Sequence, residues 1–407
     1  MRAHHTPHTF SSFPVYSSAF VTDDRLVVGG GGGTSRSGVK NKLRLYSIPN
    51  DEKIELLDEF ELAKDEDAPM SMTSDADLCN IVCGINSATE LLVQGKNENC
   101  RLYNVQNDKI IAQGSRGTLR AGEDNLEDYQ KVTALSPDHK FLIVAGDASK
   151  EFTLLSYPSL QPVTTTIHTD HAIYDATFSS SNLVVATTNN LLVYGLPTTI
   201  SLPSPGKGKK KQKQRQRTAS SLISELSLIK TIDRPTLPGS EACTFRAVRF
   251  APGNEKVLFT VINTSPPRTR GKSVPKRGYI CRWDTVTWDV PKIRKAGEKG
   301  ITCFDISPDG KLLGFGSADL TISLFDAQSL SPVLSILKAH EFPATTLCFN
   351  LSSTLFVSGS ADSTVRAVAM PSYSGTSAWS TFAVILITLL ALLIAYLVQR
   401  HYGGNLL

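Results

Sequence analysis

Five glycines in a row, Gly29 to Gly33, sit between the apolar stretch Arg25-Leu-Val-Val28 and a polar one, Thr34 to Lys42, that carries Gly38 and Asn41. A glycine run after a strand invites a phosphate-binding reading, because bare backbone N–H groups can approach an oxyanion. Gly33-x4-Gly38 has the spacing of such a loop, but Val39 stands where the loop needs lysine. A dinucleotide loop needs a helix next, so that its N-terminus faces the pyrophosphate. Here Leu43-Arg-Leu-Tyr46 reads as a strand. Backbone carbonyls offer the better chemistry. Glycine tolerates unusual φ and leaves its carbonyl unshielded, so Gly29, Gly30, Gly31, Gly32, Gly33 and Gly38 can fold oxygens round one hard cation. The ion would order a loop that entropy otherwise keeps loose. A loop with no ligand is the alternative.

Other reactive side chains point to structural work. His168-Thr-Asp170-His171 offers two imidazoles but no third ligand, and Cys79-x3-Cys83 lacks the second pair that a zinc site needs. The 7 cysteines are odd in number and scattered, which predicts reduced, mostly buried thiols. His340 and Asp362 read as residues that fix turns. No nucleophile stands with a base, so the sequence predicts no covalent chemistry. A net charge of +4 gives no general argument for nucleic acid.

What must position these residues is legible from internal repeats. Ile301 to Asp319 with Thr321 to Asp326, and Thr345 to Asp362 with Thr364 to Val368, match at a spacing of about 43 residues, the period of a propeller blade. Each contains strand, turn, strand, turn, strand. In Ser307-Pro308-Asp309-Gly310, Pro presets φ, Asp bonds back to the backbone and Gly takes positive φ. The segments resemble WD repeats. Ala339-His340 stands for the usual Gly-His, Phe325-Asp326 for the closing Trp-Asp, and Trp283-Asp284 keeps it. Weaker copies run through Tyr16–Ile48, Asp77–Val105, Val132–Tyr157, Ile173–Leu196 and Phe245–Trp288. The expected fold is all-β, a seven-bladed WD-repeat β-propeller over residues 1–370. Its last blade has three strands of its own, so a strand at about Thr9 to Phe13 must close the ring.

Two basic insertions interrupt the repeats. Residues 205–217 hold Lys207, Lys209, Lys210, Lys211, Lys213, Arg215 and Arg217 and no apolar residue, so the segment is expected to be disordered. Anionic lipid is one partner for it, at roughly 1 kcal/mol per basic residue near the surface. The second, Thr264 to Gly278, reads as a hairpin tip.

After a linker, 371–378, comes an uncharged apolar stretch, Trp379 to Val398, followed by residues 399–407. About 20 such residues suffice to cross bilayer hydrocarbon as one transmembrane helix. Met1 to Phe13 has no apolar core of the signal-peptide kind. The expectation is a cytosolic body on a single C-terminal span with a short lumenal tail. Two glycosylation sequons, at Asn263 and Asn350, matter only if the body is lumenal.

Tyr16-Ser-Ser-Ala-Phe20, Leu26-Val-Val-Gly-Gly-Gly-Gly32, Gly38-Val-Lys-Asn41-Lys-Leu43, Leu57-Asp-Glu-Phe60 and Asp67-Ala-Pro69-Met70 resemble the first blade of the Sec-twelve (SEC12)/prolactin-regulatory-element-binding family. The resemblance implies an endoplasmic-reticulum guanine nucleotide exchange factor, single-pass, for the Sar-type small GTPase that starts COPII coat assembly. It further implies a potassium ion held by the glycine loop and a functional asparagine at Asn41. Lys40, Lys42, Asp67 and Pro69 are the expected partner contacts. Some members carry a long lumenal domain, which this sequence lacks. The competing expectation is an anchored propeller scaffold that binds proteins without exchange activity; a scaffold has no need of Gly29–Gly33 with Asn41.

Overall fold

The computed structural model describes residues 4–34, 38–197, 226–238, 242–265, 276–370 and 378–402. The chain divides into two compact units, Met1–Met370 and Pro371–Leu407.

The first unit is a ring of seven antiparallel sheets among the described residues. After β1 (His5–Thr9), blade 1 is β2 (Val15–Phe20), β3 (Arg25–Gly30), β4 (Lys42–Ser47) and β5 (Glu55–Glu61). Blade 2 is β6 (Ser71–Asp75), β7 (Asn80–Gly84), β8 (Cys100–Gln106) and β9 (Lys109–Arg116), with helix α1 (Thr89–Val93) between its second and third strands. Blade 3 is β10 (Gln130–Leu135), β11 (Phe141–Gly146), β12 (Glu151–Ser156), β13 (Gln161–Pro162) and β14 (Ile167–His168). Blade 4 is β15 (Ile173–Phe178), β16 (Asn182–Thr187), β17 (Asn190–Gly195) and β18 (Leu228–Asp233). Blade 5 is β19 (Cys243–Ala251), β20 (Asn254–Thr264), β21 (Gly278–Asp284) and β22 (Lys292–Gly297). Blade 6 is β23 (Ile301–Ile306), β24 (Leu312–Ser317), β25 (Ile322–Asp326) and β26 (Pro332–Ile336). Blade 7 is β27 (Ala344–Phe349), β28 (Leu355–Ser360) and β29 (Thr364–Ala369), completed by β1, which pairs β29 from His5↔Val368 to Thr9↔Thr364.

The closing strand is therefore His5–Thr9, four residues before the segment expected from sequence. Phe10 and Phe13 are apolar because they plug the joint: both are buried between blades 7 and 1, and Phe10 stacks on Tyr46 at 4.7 Å. The apolar core is not one centre but a series of joints. Val27, Leu43, Ile81 and Cys83 join blades 1 and 2; Val82, Leu102, Leu142 and Val144 join blades 2 and 3; Val15, Val28, Val357 and Val365 join blades 7 and 1. Each fully buried aliphatic side chain contributes about 1.5–3 kcal/mol, so every blade depends on both neighbours.

All seven cysteines are free, five of them buried, as expected. His340 and Asp362 do fix turns. The imidazole bridges Thr364 Oγ1 at 2.7 Å and Ser358 Oγ at 2.8 Å, and Asp362 accepts from the Glu341 and Thr364 amides. His168 and His171 form no metal pair: His168 Nδ1 faces Glu151 and His171 meets Asn189.

In the second unit, α2 (Ala378–Tyr402) is 25 residues long. Its described side chains from Val384 to Leu397 are all exposed. Among the described residues no helix is long and apolar enough to cross a membrane. The described run Val384–Leu397 is only about 21 Å of helix at 1.5 Å per residue. The basic segment 205–217 and residues 371–377 and 403–407 lie outside the described residues, as does the tip of the second basic insertion, 266–275.

Candidate functional site

The glycine run is split by the sheet. Gly29 and Gly30 are the last residues of β3, paired with β2 on one side and β4 on the other. Their backbone groups belong to the ladder, which corrects the expectation that all five glycines form the loop. They are glycines for packing reasons. A Cβ at Gly29 would lie 2.5 Å from Ser17 Oγ and 2.6 Å from Pro69 Cβ, and one at Gly30 would lie 2.1 Å from the Pro14 carbonyl. The loop proper begins at Gly31, whose N–H donates to Pro14 O at 3.0 Å and whose φ is +136°.

Asn41 closes this loop. Its Oδ1 accepts from the Gly33 N–H at 2.9 Å, and its Nδ2 donates to the Gly33 carbonyl at 2.9 Å and to the Glu66 carbonyl at 2.7 Å. Its own carbonyl accepts from Leu62 N at 3.0 Å. The amide is thus spent inside the protein, not held out to a partner. It ties the loop of blade 1 to the connector between blades 1 and 2.

That connector is braced in turn. Glu66 meets Arg101 of blade 2 at 2.6 Å, each side chain 14% exposed. Its other carboxylate oxygen accepts from Ala63 N at 2.9 Å. Asp67 N–H donates to Asn86 O at 3.1 Å, and Asp67 Oδ1 accepts from Ala68 N at 2.7 Å. Burial pushes the Asp67 carboxyl up, and burial together with Asp67 pushes the Tyr16 phenol up. Sequence reading does not single out Glu66, Arg101 and Asn86. Nothing in local spacing marks them, because their roles arise only when the two blades meet.

The expected contact residues separate into two groups. Lys40 is 67% exposed and pairs with Glu61 at 2.5 Å, so it presents a cation beside the loop. Lys42 is 20% exposed and pairs with Glu59 at 3.2 Å, in a row with Arg44, which packs on Phe13. Asp67 is partly buried at the rim of the loop. Pro69 is buried, its carbonyl accepting from Ser17 Oγ at 2.6 Å. It supports the glycine strand and offers a partner no side-chain surface, which corrects its expected role.

Against a cation, the glycines divide the same way. Gly29 and Gly30 do not fit, because their carbonyls lie in the ladder. Gly31, Gly32, Gly33 and Gly38 lie outside any strand and fit the chemistry of a carbonyl-lined site, with φ positive at Gly31, Gly33 and Gly38. Among the described residues the Gly33 carbonyl accepts from Asn41, one of the two hydrogen bonds its lone pairs allow.

The repeats and the ring define a WD40 β-propeller. The WD domain, G-beta repeat family matches residues 291–326 and 331–367. The crystal structure of the WD40 β-propeller domain of Doa1 has the same fold, with a TM-score of 0.59 and 13% identity over 90% of this chain and 96% of that one. Within that class the chain is similar to the SEC12 guanine nucleotide-exchange factors. It is 24% identical to the guanine nucleotide-exchange factor SEC12 of Candida glabrata, over 99% of this chain and 81% of that protein. The rat SEC12 is 30% identical over 27% of this chain and 25% of its own length. SEC12-like protein 2 of Arabidopsis thaliana is 31% identical over 30% and 29%. The chain thus matches only about a quarter of the length of these more distant relatives.

Proposed function

We propose that this protein is a guanine nucleotide exchange factor for the Sar-type small GTPase. On this reading it acts at the endoplasmic-reticulum membrane to start COPII coat assembly. The observation that carries the reading is the closure of the glycine loop by Asn41 onto Gly33 and Glu66. It gives the chain one preshaped projection at the blade 1–blade 2 joint, in a sequence alignable along 99% of its length to a named exchange factor.

An exchange factor makes no covalent bond. It stabilises the nucleotide-free GTPase relative to the bound form. A thousandfold faster release needs about 4 kcal/mol of barrier lowering. A preshaped loop contributes by removing the ordering cost that a mobile loop would incur on docking. Asn41 acts here as a positioning residue. Lys40, exposed and paired with Glu61 among the described residues, is a charge able to re-pair with an acidic group on the GTPase. Lys42 and Asp67 line the same rim. A potassium ion at the carbonyls of Gly31, Gly32, Gly33 and Gly38 would supply further ordering of the loop.

The uncharged stretch Trp379 to Val398 within α2 is proposed as a single bilayer span, supported by the solvent exposure of every described apolar side chain from Val384 to Leu397. The body then lies in the cytosol, and the basic run Lys207–Arg217 contacts anionic lipid. The deciding experiment is GDP release from a panel of small GTPases with the full chain in detergent. Acceleration of the Sar-type GTPase alone supports the proposal. Binding to a GTPase with no acceleration of release on any panel member overturns it in favour of a scaffold.

A further inference from the structure

Strand β8 turns alternate residues to the two joints of blade 2. Cys100 and Leu102 pack toward blade 3, and Tyr103 packs toward blade 1, where its ring meets Phe60 edge-on at 5.2 Å. Arg101 shares the face of Tyr103 and pairs across the sheet with Cys83, which is buried in the blade 1–blade 2 joint. An apolar residue there would extend that joint. The chain instead places a guanidinium. It donates from Nε to the Glu98 carbonyl at 3.0 Å and pairs through a terminal nitrogen with Glu66 at 2.6 Å, and the Tyr103 phenol lies beside it.

We infer that Arg101, acting through Glu66, is a positioning residue for the glycine loop: it fixes the Glu66 carbonyl that receives Asn41, and so sets the fit of the loop to the GTPase. The inference rests on the exchange reading above and adds a residue of blade 2 to it. The path from Gly33 through Asn41 and Glu66 to Arg101 crosses from one blade to the next by contacts of 2.9, 2.7 and 2.6 Å.

Glu66 is a junction at which every polar group is engaged. Its N–H donates to Ala63 O at 3.3 Å, one carboxylate oxygen accepts from Ala63 N at 2.9 Å, the other meets Arg101, and its carbonyl accepts from Asn41 Nδ2 at 2.7 Å. The side chain thus holds its own turn on one side and blade 2 on the other, so the carbonyl turns away from Asn41 only by breaking one of them. The next residue adds a parallel restraint, Asp67 N–H to Asn86 O at 3.1 Å. Loss of Arg101 should therefore loosen the connector without freeing it. A nearly buried ion pair adds little net stability over apolar residues of the same volume. What this pair supplies is geometry: the planar fork of arginine fixes two acceptors at once, which the single ammonium of lysine does less well.

The test uses the full chain in detergent. In Arg101→Met, which keeps most of the packing, the Gly33 and Leu62 amides should exchange hydrogen faster, while the strand amides of blades 4 to 6 stay as protected as in the wild type. GDP release from the Sar-type GTPase should slow about fivefold. Because the effect runs through Asn41, the double variant with Asn41→Ala should be no slower than Asn41→Ala alone; a residue that merely supports the fold would multiply the two losses. Should Arg101→Met not fold, Arg101→Lys, which keeps the charge but not the fork, carries the same comparisons, with smaller shifts in the same direction. Unchanged protection at Gly33, or losses that multiply, overturns the inference. If the wild type accelerates no GTPase, the exchange reading fails by itself, and the amide protection, measured without a GTPase, still decides whether Arg101 sets the loop.

Discussion

Asn41 and Gly33 hold each other by two hydrogen bonds of 2.9 Å, one in each direction between side-chain amide and peptide group. The pair mimics a short β-ladder across the base of the glycine loop. The third bond, to the Glu66 carbonyl, carries that order across to the next blade.

Asn41→Ala removes all three bonds. Each is worth about 1 kcal/mol, but they stabilise a peripheral loop, so the cost falls on loop order more than on the ring. The expected result is faster hydrogen exchange at Gly33 and Leu62, at least a tenfold loss of nucleotide exchange, and an unfolding temperature within a few degrees of wild type. Asn41→Asp should be as damaging. It keeps the acceptor for the Gly33 N–H but places a negative charge against two carbonyls. Normal exchange in both variants would remove Asn41 from the mechanism.

Two glycine substitutions separate shape from mere flexibility. At Gly31 a Cβ would lie 2.3 Å from Asn41 Oδ1 and 2.7 Å from the Lys40 carbonyl. Gly31→Ala should therefore break the Asn41 closure and reproduce the loss of exchange. At Gly38, where φ is +78°, nothing stands within 4 Å of a Cβ. Gly38→Ala should cost only the left-handed backbone penalty of about 1–2 kcal/mol and keep most exchange. Equal loss in both would mean that the loop needs glycine for mobility, not for fit.

The propeller is legible in the sequence because blades repeat: strand, turn and strand recur with turn residues at fixed offsets, and Ser307-Pro-Asp-Gly310 or Ser317-Ala-Asp319 need no tertiary context. Sequence pattern places the closing strand four residues late because β1 is a polar edge strand, while the nearby Phe10 and Phe13 carry the apolar signal for a different reason. The glycine run reads as one loop because composition cannot separate glycines that admit Ser17, Pro69 and Pro14 from glycines that turn. Asn41 is legible as a position, but its partners Gly33 and Glu66 are fixed by the meeting of two blades. Both sequon asparagines are likewise structural: Asn263 bonds the Ile301 backbone, and Asn350 holds Thr354 and Leu355.

Membrane attachment through α2 predicts a simple fractionation result. Removing 379–398 should release the protein from membranes at both low and high salt if α2 is the sole attachment. Retention at low salt alone would credit the run Lys207–Arg217, since exposed charges lose their attraction beyond a Debye length of about 8 Å at physiological ionic strength. Protease added to intact microsomes should digest the propeller; its protection would place the body in the lumen.

The last prediction concerns pH. His340 is buried, its side chain 1% exposed, and burial pushes its pKa down to about 4 from 6.5. The folded state therefore holds this imidazole neutral while the unfolded chain takes up a proton between pH 6.5 and 4. Stability from this group is fully present above pH 6.5 and is lost as pH falls through 4. The loss is roughly 3 kcal/mol, because a tenfold difference in proton affinity between the two states is worth about 1.36 kcal/mol. Asp305 works in the opposite sense. Burial raises its pKa to about 6, so protonation below that value favours the folded state. Its side chain is 30% exposed beside Arg249, so solvent screens part of that effect and His340 prevails. Denaturant midpoints measured from pH 7.5 to 4.5 should fall for the wild type. They should fall less for His340→Asn, which keeps a polar side chain between Thr364 and Ser358, and more steeply for Asp305→Asn. A His340→Asn curve parallel to the wild type over this range would show that the acid sensitivity of the ring resides elsewhere.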